Sequence, residues 1–250
     1  MPATLGGVPA PSAPRSTRGE QTRSHILATA LRLFRDEGYD AATMRAVAAE
    51  AGVSVGNAYY YFESKDHLIQ AYYEEIGKAH RELALARLTG VRDLAERLRV
   101  ALDSHLEVIE PYHAFAGSFF RVAADPRSPL SPFSAESAPA REEAIRFFAT
   151  VVDGSSTRIP AALRAELPRL LWLLHMGVVL YWVHDRSPGA RRTAELVERG
   201  VPLAVKLIGL ARLPGVRGAL DDAIALIRSL MPPEPAIAPE AARAPSRLLR

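Results

Sequence analysis

The sequence predicts an all-α protein built from a small N-terminal unit followed by a larger helical domain. Apolar residues recur at helical spacing through most of the chain, and almost no stretch shows the alternation typical of a strand. Glycines, prolines and cap-forming side chains divide this pattern into helix-sized segments. The 250 residues are 48% hydrophobic, which is enough for a sizeable core in one or two domains.

The two ends of the chain differ in composition from the rest. Residues 1–17 are rich in proline, alanine, glycine and serine, and residues 232–250 have the same character with added arginines. Neither segment carries enough apolar surface to offset the entropy lost on ordering. Both are therefore predicted to be disordered.

Three helices are predicted between residues 18 and 65. The first presents one apolar face and stops at Gly38, because glycine readily ends a helix. Thr43 is a plausible N-cap for a short second helix, which ends at Gly52. Ser54 can cap the third helix, which reaches about Phe62.

The larger domain is predicted to span residues 66–231. Its first helix is capped by Ser64 and runs toward Leu88. Pro168 is expected either in the first turn of a later, long helix or at a kink in it. The other helices are predicted at residues 91–109, 112–124, 136–152, 163–184, 190–212 and 216–231.

The composition excludes several classes of site. The chain has no cysteine, so disulfides, thiolate nucleophiles and thiolate metal sites are excluded. A net charge of +3 and a pI near 9.3 are too mild to prove a nucleic-acid partner. The longest apolar stretch, Leu170–Val183, is short for a membrane span and is interrupted by His175, so a buried helix and no membrane partner are expected.

The two short helices joined by Gly52, Val53 and Ser54 are typical of a helix-turn-helix. Glycine tolerates the positive φ of a tight turn, and Val53 is expected to point inward and set the angle between the helices. Ala58 and Phe62 lie four residues apart and should face the core. In this motif the second helix lies in the major groove of DNA, so the opposite face of this helix is predicted to read DNA.

The candidate DNA contacts differ in chemistry. Asn57 can bind a base edge or a phosphate, and the ring of Tyr60 can fill the groove while neighbouring hydroxyls hold phosphates. The forked guanidinium of Arg45 suits guanine, and Lys65 adds a cation at the start of the next helix. The predicted DNA-binding residues are Thr43, Arg45, Ser54, Val55, Gly56, Asn57, Tyr59, Tyr60, Tyr61 and Lys65.

Four of these residues also have a structural interpretation. Tyr59 could be a core ring that exposes only its hydroxyl, and Asn57 and Lys65 could be ordinary surface residues. Arg45 could form a surface ion pair with Glu50. The turn places these residues on one surface, so a shared DNA-binding role explains them better than four separate structural roles.

The region resembles the TetR family of bacterial one-component transcriptional regulators over about residues 20–70. The spacing of Tyr59, Tyr61, Phe62 and Lys65 makes the resemblance specific, whereas a bare helix-turn-helix signal is weak. Val55 is an apolar departure, which suggests contact with a thymine methyl group. The other matching residues are Phe34, Gly38, Thr43, Val47, Ala48, Ala51, Gly52, Val53, Ser54, Gly56 and Leu68.

The resemblance implies a cytoplasmic homodimer on a palindromic operator. The two reading helices would enter successive major grooves roughly 34–36 Å apart, and a small-molecule effector would change that spacing. Repression is the commoner role in the family. No cofactor is implied.

Two further sites are predicted in the second domain. Aromatic and apolar residues around His175 form a possible pocket for a small, apolar ligand, although plain core packing explains the same pattern. The pocket candidates are Phe115, Phe119, Phe147, Trp172, His175, Met176 and Val179. A second apolar stripe on each of the last long helices suggests a dimer contact, or else fully internal helices. Its candidates are Leu170, Leu174, Gly177, Tyr181, Val197, Val201, Ala204 and Ile208.

The sequence favours a ligand-responsive DNA-binding repressor over two other classes. An enzyme is disfavoured because no nucleophile with a base, no paired carboxylates and no phosphate loop are recognisable. A metal site is not expected, because His105, Glu110 and His113 are poorly spaced around Pro111. A helical adaptor that uses the first unit for protein contacts would have no affinity for duplex DNA.

Overall fold

A computed structural model describes residues 18–211 and the isolated positions Gly218, Asp222, Ala225, Leu226 and Ser229. The side chains at positions 114, 115 and 118 are not described. The segments predicted to be disordered, 1–17 and 232–250, lie outside the described residues, as does most of the helix predicted at 216–231.

The fold is all-α, as the sequence predicted, and no strand occurs between residues 18 and 211. Short 3₁₀ turns at Glu110–Tyr112 and Pro188–Ala190 connect some of the α-helices. The helices are α1 (Arg18–Glu37), α2 (Met44–Glu50), α3 (Val55–Tyr61), α4 (Lys65–Arg87), α5 (Leu94–Ile109), α6 (His113–Ala123), α7 (Ala138–Asp153), α8 (Ala161–His184) and α9 (Arg191–Leu210).

Local side-chain caps define the helix-turn-helix. The Oγ1 of Thr43 accepts a hydrogen bond from the backbone N–H of Ala46, and the Oγ of Ser54 accepts one from the N–H of Asn57, each at 3.1 Å. These bonds satisfy backbone donors that have no partner within the helix. Gly52 has φ +66°, a conformation that glycine adopts without a steric penalty, so the chain turns between α2 and α3 as predicted.

One hydrophobic core joins α1, α2 and α3 to the first half of α4. Phe34, Val47, Ala58, Leu68 and other apolar residues of this core are fully buried. Leu130, from the loop between α6 and α7, is also fully buried in this core. A residue of the second half of the chain therefore takes part in packing the helix-turn-helix.

A second core lies among α4, α5, α7, α8 and α9. Arg97 of α5 is buried there and donates hydrogen bonds to the carbonyl oxygens of Val91 and Val151, both at 2.7 Å, and of Thr150 at 3.0 Å. The guanidinium therefore holds the start of α5 against the end of α7. Pro168 lies within α8, where it replaces a backbone N–H donor.

The helix α9 packs against α5 with an apolar stripe that the sequence had suggested for a dimer contact. Val197 and Val201 are only 2% and 3% exposed and lie in the second core of the same chain. Ala204 and Ile208 are partly buried, and Ile208 packs against that core. The interface prediction for Val197 and Val201 is therefore wrong, because the protomer itself buries them.

Between residues 18 and 211, no helix combines the length and hydropathy needed to cross a membrane. One side of the apolar stretch of α8 packs against α6, α7 and α9, whereas Leu174, Leu180 and Tyr181 on its other side are exposed.

Candidate functional site

The outer face of α3 is exposed and aromatic. Tyr60 is 81% exposed, Tyr59 is 48% exposed and Val55 is 40% exposed. Ala58 and Phe62 lie on the opposite face and are at most 2% exposed, as the four-residue spacing predicted. The interpretation of Tyr59 as a core ring does not hold, because half of its surface reaches solvent.

The other predicted residues of α3 and its cap lie beside this face. Ser54 and Gly56 are exposed, and Asn57 is partly buried. A Cβ added to Gly56 would meet no atom within 4 Å, so this part of the helix backbone is open to a partner. Tyr61 is partly buried, and its ring packs edge-on against Tyr60 at a centroid distance of 5.2 Å, so it braces the most exposed tyrosine.

Arg45 of α2 is exposed next to its helix cap, Thr43, which is exposed as well. The expected competitor for Arg45, Glu50, instead pairs with Arg32 of α1 at 2.6 Å. Among the described residues no carboxylate forms an ion pair with Arg45. Its guanidinium is therefore available to an external acceptor such as a base edge or a phosphate.

Lys65 has a structural role that the sequence did not reveal. Its Nζ donates hydrogen bonds to the carbonyl oxygens of Tyr39 at 2.7 Å and Asp40 at 3.4 Å, and lies 4.5 Å from the centroid of the Tyr39 ring. The hydroxyl of Tyr39 donates to Asp66, so the loop after α1 is tied to the start of α4. An ammonium group has three donors, so the Lys65 side chain can hold this loop and still offer a donor to a phosphate.

A cavity of about 220 Å³ lies between α4, α5, α6, α7, α8 and the loop before α7. Five of the predicted ligand contacts line it: Phe119, Trp172, His175, Met176 and Val179. Phe147 does not line the cavity, because its ring packs behind the wall against His80 and Phe148. Phe115 belongs to the residues whose side chains are not described.

The structure adds polar residues that sequence reasoning had not assigned to the cavity. His80 of α4 and His105 of α5 line it together with His175 of α8. The ring centroids are 4.3 Å apart for His105 and His175 and 4.9 Å apart for His80 and His105. The three residues are far apart in sequence. The sequence feature that could have indicated them is, in each of the three helices, a histidine on an otherwise apolar face.

Burial keeps these three imidazoles neutral. Desolvation lowers the pKa of His80 to about 4, although its bond to the carbonyl of Ala101 opposes the shift. Desolvation also lowers the pKa of His175 to about 3, with an electrostatic contribution from the nearby His80, and lowers the pKa of His105 well below its usual range. Among the described residues, no group of three or more histidine, aspartate or glutamate side chains is arranged to hold a metal ion.

The cavity and the helix-turn-helix share a wall. Tyr72 of α4 is buried in the first core and also lines the cavity, and Phe119 of α6 contacts both. The loop of Leu130 is tied to α4, since the Tyr73 hydroxyl donates to the Leu130 carbonyl at 3.2 Å and the Gln70 amide donates to the Pro129 carbonyl at 2.9 Å. The wall of the cavity therefore includes atoms that pack against α1 to α3.

An exposed apolar surface, here called the α8–α9 stripe, runs along the last two helices. Leu203 and Leu207 of α9 are each 59% exposed, and Tyr181 of α8 is 44% exposed. Leu170 is partly buried against the second core, so it lies at the margin of the surface. The stripe consists of Leu174, Gly177, Leu180, Tyr181, Leu196, Gly200, Leu203, Leu207 and Leu210.

Known protein families match both parts of the chain. Residues 26–72 match the family described as "Bacterial regulatory proteins, tetR family". Residues 97–226, just over half of the chain, match the "Tetracyclin repressor-like, C-terminal domain".

A sequence relative matches the N-terminal region. The HTH-type transcriptional regulator UidR of Escherichia coli is 38% identical over 71 residues, which cover 28% of this chain and 34% of that protein. The chain therefore matches about a third of the length of this curated relative.

Solved structures share the fold over most of the chain. A TetR-family transcriptional regulator from Syntrophomonas wolfei superposes with a TM-score of 0.61 at 20% identity, over 75% of this chain and 97% of that one. The regulator FadR from Bacillus subtilis, solved in complex with stearoyl-CoA, has a TM-score of 0.55 at 15% identity, over 71% of this chain and 98% of that one.

The helix-turn-helix with its exposed α3 face and the two family matches agree with one another. The chain therefore belongs to the TetR family of bacterial regulatory proteins.

Proposed function

We propose that the chain is a ligand-responsive repressor that binds a palindromic operator as a cytoplasmic homodimer. Residues 18–65 would form the DNA-binding unit, and residues 66–231 would bind the ligand and the partner subunit. The protein acts by binding and not by catalysis. The ligand-free dimer occupies the operator, and a small molecule in the cavity releases it.

The exposed face of α3 carries this proposal. Tyr60 leaves 81% of a large aromatic side chain exposed, and packing within the chain does not explain this exposure. Arg45, with no carboxylate partner among residues 18–211, lies on the neighbouring helix of the motif. The ring of Tyr60 contacts the groove, Arg45 and Asn57 read base edges, and Tyr59 and Lys65 hold phosphates.

The α8–α9 stripe supports the homodimer. Its members on α9 are spaced by three and four residues, from Leu196 through Gly200, Leu203 and Leu207 to Leu210, which is the pattern of a helix that packs against another helix. Two such stripes from two protomers form a four-helix contact. The glycines Gly177 and Gly200 allow close approach of the backbones.

The shared wall suggests how a ligand releases DNA. A ligand in the cavity displaces Tyr72 or Phe119, which pack against the DNA-binding core, and shifts the Leu130 loop with them. This motion rotates α1 to α3 of each protomer and changes the distance between the two α3 helices. The mechanism requires that the ligand bind the DNA-incompetent state more tightly, which is a population shift.

Selection of bound duplexes from a random DNA pool tests the function. The expected product is a two-fold symmetric consensus with half-sites about one helical turn apart. Arg45→Ala should lower affinity for the consensus by about 10-fold and relax preference at one base pair in each half-site, since a bidentate contact discriminates by about 1–3 kcal/mol. Arg186→Ala removes an exposed arginine outside the motif and is the matched control. Recovery of no consensus, or equal affinity for all duplexes, would contradict the proposal.

Leu130→Ala tests whether the loop before α7 stabilises the DNA-binding core. The substitution removes a fully buried side chain, so the free energy of unfolding should fall by about 2–5 kcal/mol. The conservative variant Leu130→Met should cost less than about 1.5 kcal/mol. Chemical denaturation measures both values. Similar stability of the alanine variant and the wild type would show that the Leu130 loop does not support the core.

A further inference from the structure

The most unusual polar feature of the described chain is the buried histidine cluster, defined as His80, His105 and His175. Neither nitrogen of His175 has a protein hydrogen-bond partner, and neither does the Nδ1 of His105, although all three atoms are buried. His175 is only 6% exposed. Buried polar atoms without partners are rare and cost about 1–3 kcal/mol each, so a group that supplies hydrogen bonds to them is favoured at this position.

The cluster forms part of the wall of the ligand cavity. All three rings line it, and the remaining lining is mainly apolar, with Ile76, Ile109 and Val179 among the contacts. The terminal torsion of a histidine side chain is broad, so a modest rotation of either ring presents a nitrogen to the cavity. The N–H donor of His80 is already used, because its Nε2 donates a hydrogen bond to the carbonyl oxygen of Ala101 at 2.8 Å. His105 and His175 therefore remain as the available pair.

The charge state of the pair limits the chemistry of its partner. Each neutral imidazole has one N–H donor and one acceptor nitrogen. A hydroxyl group also has one donor and two acceptor sites, so it can bond to both rings at once. A carboxylate offers acceptors alone, and burying its charge against neutral rings is costly. Arg81, the charged residue that acts on His80, is already paired with Glu143 at 3.3 Å.

We propose that the cavity binds a compact apolar molecule that carries an uncharged hydroxyl group, an alcohol or a phenol, and that His105 and His175 bind this hydroxyl. This inference rests on the proposed ligand response and specifies the class of effector. A cavity of 150 Å³ holds benzene, so one of about 220 Å³ encloses roughly nine non-hydrogen atoms. Medium-chain alcohols and short alkylphenols have this size.

Arg141 defines the rival class of ligand, a small organic acid. It lines the cavity at the first turns of α7, but its Nη1 already donates to the carbonyl oxygens of Pro132 at 2.7 Å and Ser134 at 3.0 Å. Arg141 lies seven residues before Phe148, and this separation is roughly 10 Å along the axis of α7. The ring of Phe148 packs on His175. The Nη1 of Arg141 anchors the loop before α7 through two backbone carbonyl oxygens, so part of its donor capacity is already used.

The test compares matched probes by isothermal titration calorimetry on the full-length protein. The set contains n-alcohols from hexanol to decanol and 4-propylphenol, together with the corresponding alkanes, propylbenzene, and carboxylic acids of equal length. The alcohols and the phenol are expected to bind at least about 10-fold more tightly than the matched hydrocarbons and acids. A factor of this size is the affinity lost when a buried hydrogen bond is removed. His175→Leu should abolish this preference while hydrocarbon binding is kept or improved. Arg141→Met should leave the preference intact.

The outcomes separate this inference from the proposed function. Acids that bind best through Arg141, a hydroxyl preference that survives in His175→Leu, or no binding by any probe would each overturn the inference. The His175→Leu variant is expected to fold, because leucine removes two unpaired buried nitrogens at similar volume, and its melting temperature verifies this. Release of the operator is measured separately. Hydroxyl compounds that bind through His105 and His175 without releasing the operator would support the binding site and would contradict the proposal that a ligand in this cavity releases DNA.

Discussion

The double substitution Leu203→Glu and Leu207→Glu is expected to convert the protein to a monomer and to reduce its affinity for a palindromic operator by about 10²–10⁴-fold. Two DNA-binding units that are joined in a dimer bind far more tightly than one, because the second contact with DNA becomes intramolecular. Both leucines are 59% exposed in the protomer, so their loss removes no packing from its core. Charges buried in a dimer contact without partners oppose association.

Sedimentation velocity and titration of a fluorescent operator duplex measure these two effects. Leu85→Glu is the matched control, since Leu85 is 45% exposed on α4 and lies outside the α8–α9 stripe. The control should remain dimeric and bind DNA as the wild type does. A double variant that stays dimeric would show that the partner subunit packs elsewhere.

Acidification is expected to destabilise the protein strongly between pH 6.5 and about 4. An unfolded imidazole takes up a proton near pH 6.5, whereas burial holds the pKa of His80 at about 4 and that of His175 at about 3 in the folded chain. The unfolded state therefore binds more protons across this range. Stability is fully present above pH 6.5 and is lost as the pH falls toward the folded pKa values. Each neutral imidazole contributes a slope of about 1.4 kcal/mol per pH unit, and His105 adds to it in the same direction.

Urea unfolding at constant protein concentration, measured at several pH values between 7 and 5, determines this slope. Carboxylates such as Asp185, whose pKa is lowered by hydrogen bonds from Ser187 and Thr193 despite its burial, contribute mainly below this window. His175→Leu should reduce the slope by about 1.4 kcal/mol per pH unit. The exposed His25→Gln on α1 is the matched control for loss of an imidazole. If the free energy of unfolding did not change with pH, the folded histidines would take up protons at the same pH as the unfolded ones, and the prediction would be wrong.

The helix-turn-helix was predictable because its signals are local. Thr43, Ser54 and Ser64 accept hydrogen bonds from backbone groups three residues ahead, and Gly52 turns the chain at its own position. Such contacts depend on a few neighbouring residues, so their sequence pattern is sufficient. The division of α3 into a buried and an exposed face follows in the same way from helical periodicity.

The second domain was less predictable because its decisive contacts are distant in sequence. The helix α9 carries two apolar stripes one residue apart, and periodicity alone does not say which one packs against α5. Composition likewise did not show that Lys65 bonds to the loop of Tyr39, or that Leu130 enters the core of the helix-turn-helix.

The sequence by itself determined that the fold is all-α, where the second helix of the helix-turn-helix begins, and which face of that helix is exposed. These properties depend on hydrogen bonds and side-chain periods within a few turns of chain. The tertiary structure alone brought His80, His105 and His175 together from α4, α5 and α8, and left Leu203 rather than Val201 on the surface. Both outcomes depend on the angle and rotation at which helices pack, and these are set by the total burial of many residues that are remote from one another in sequence.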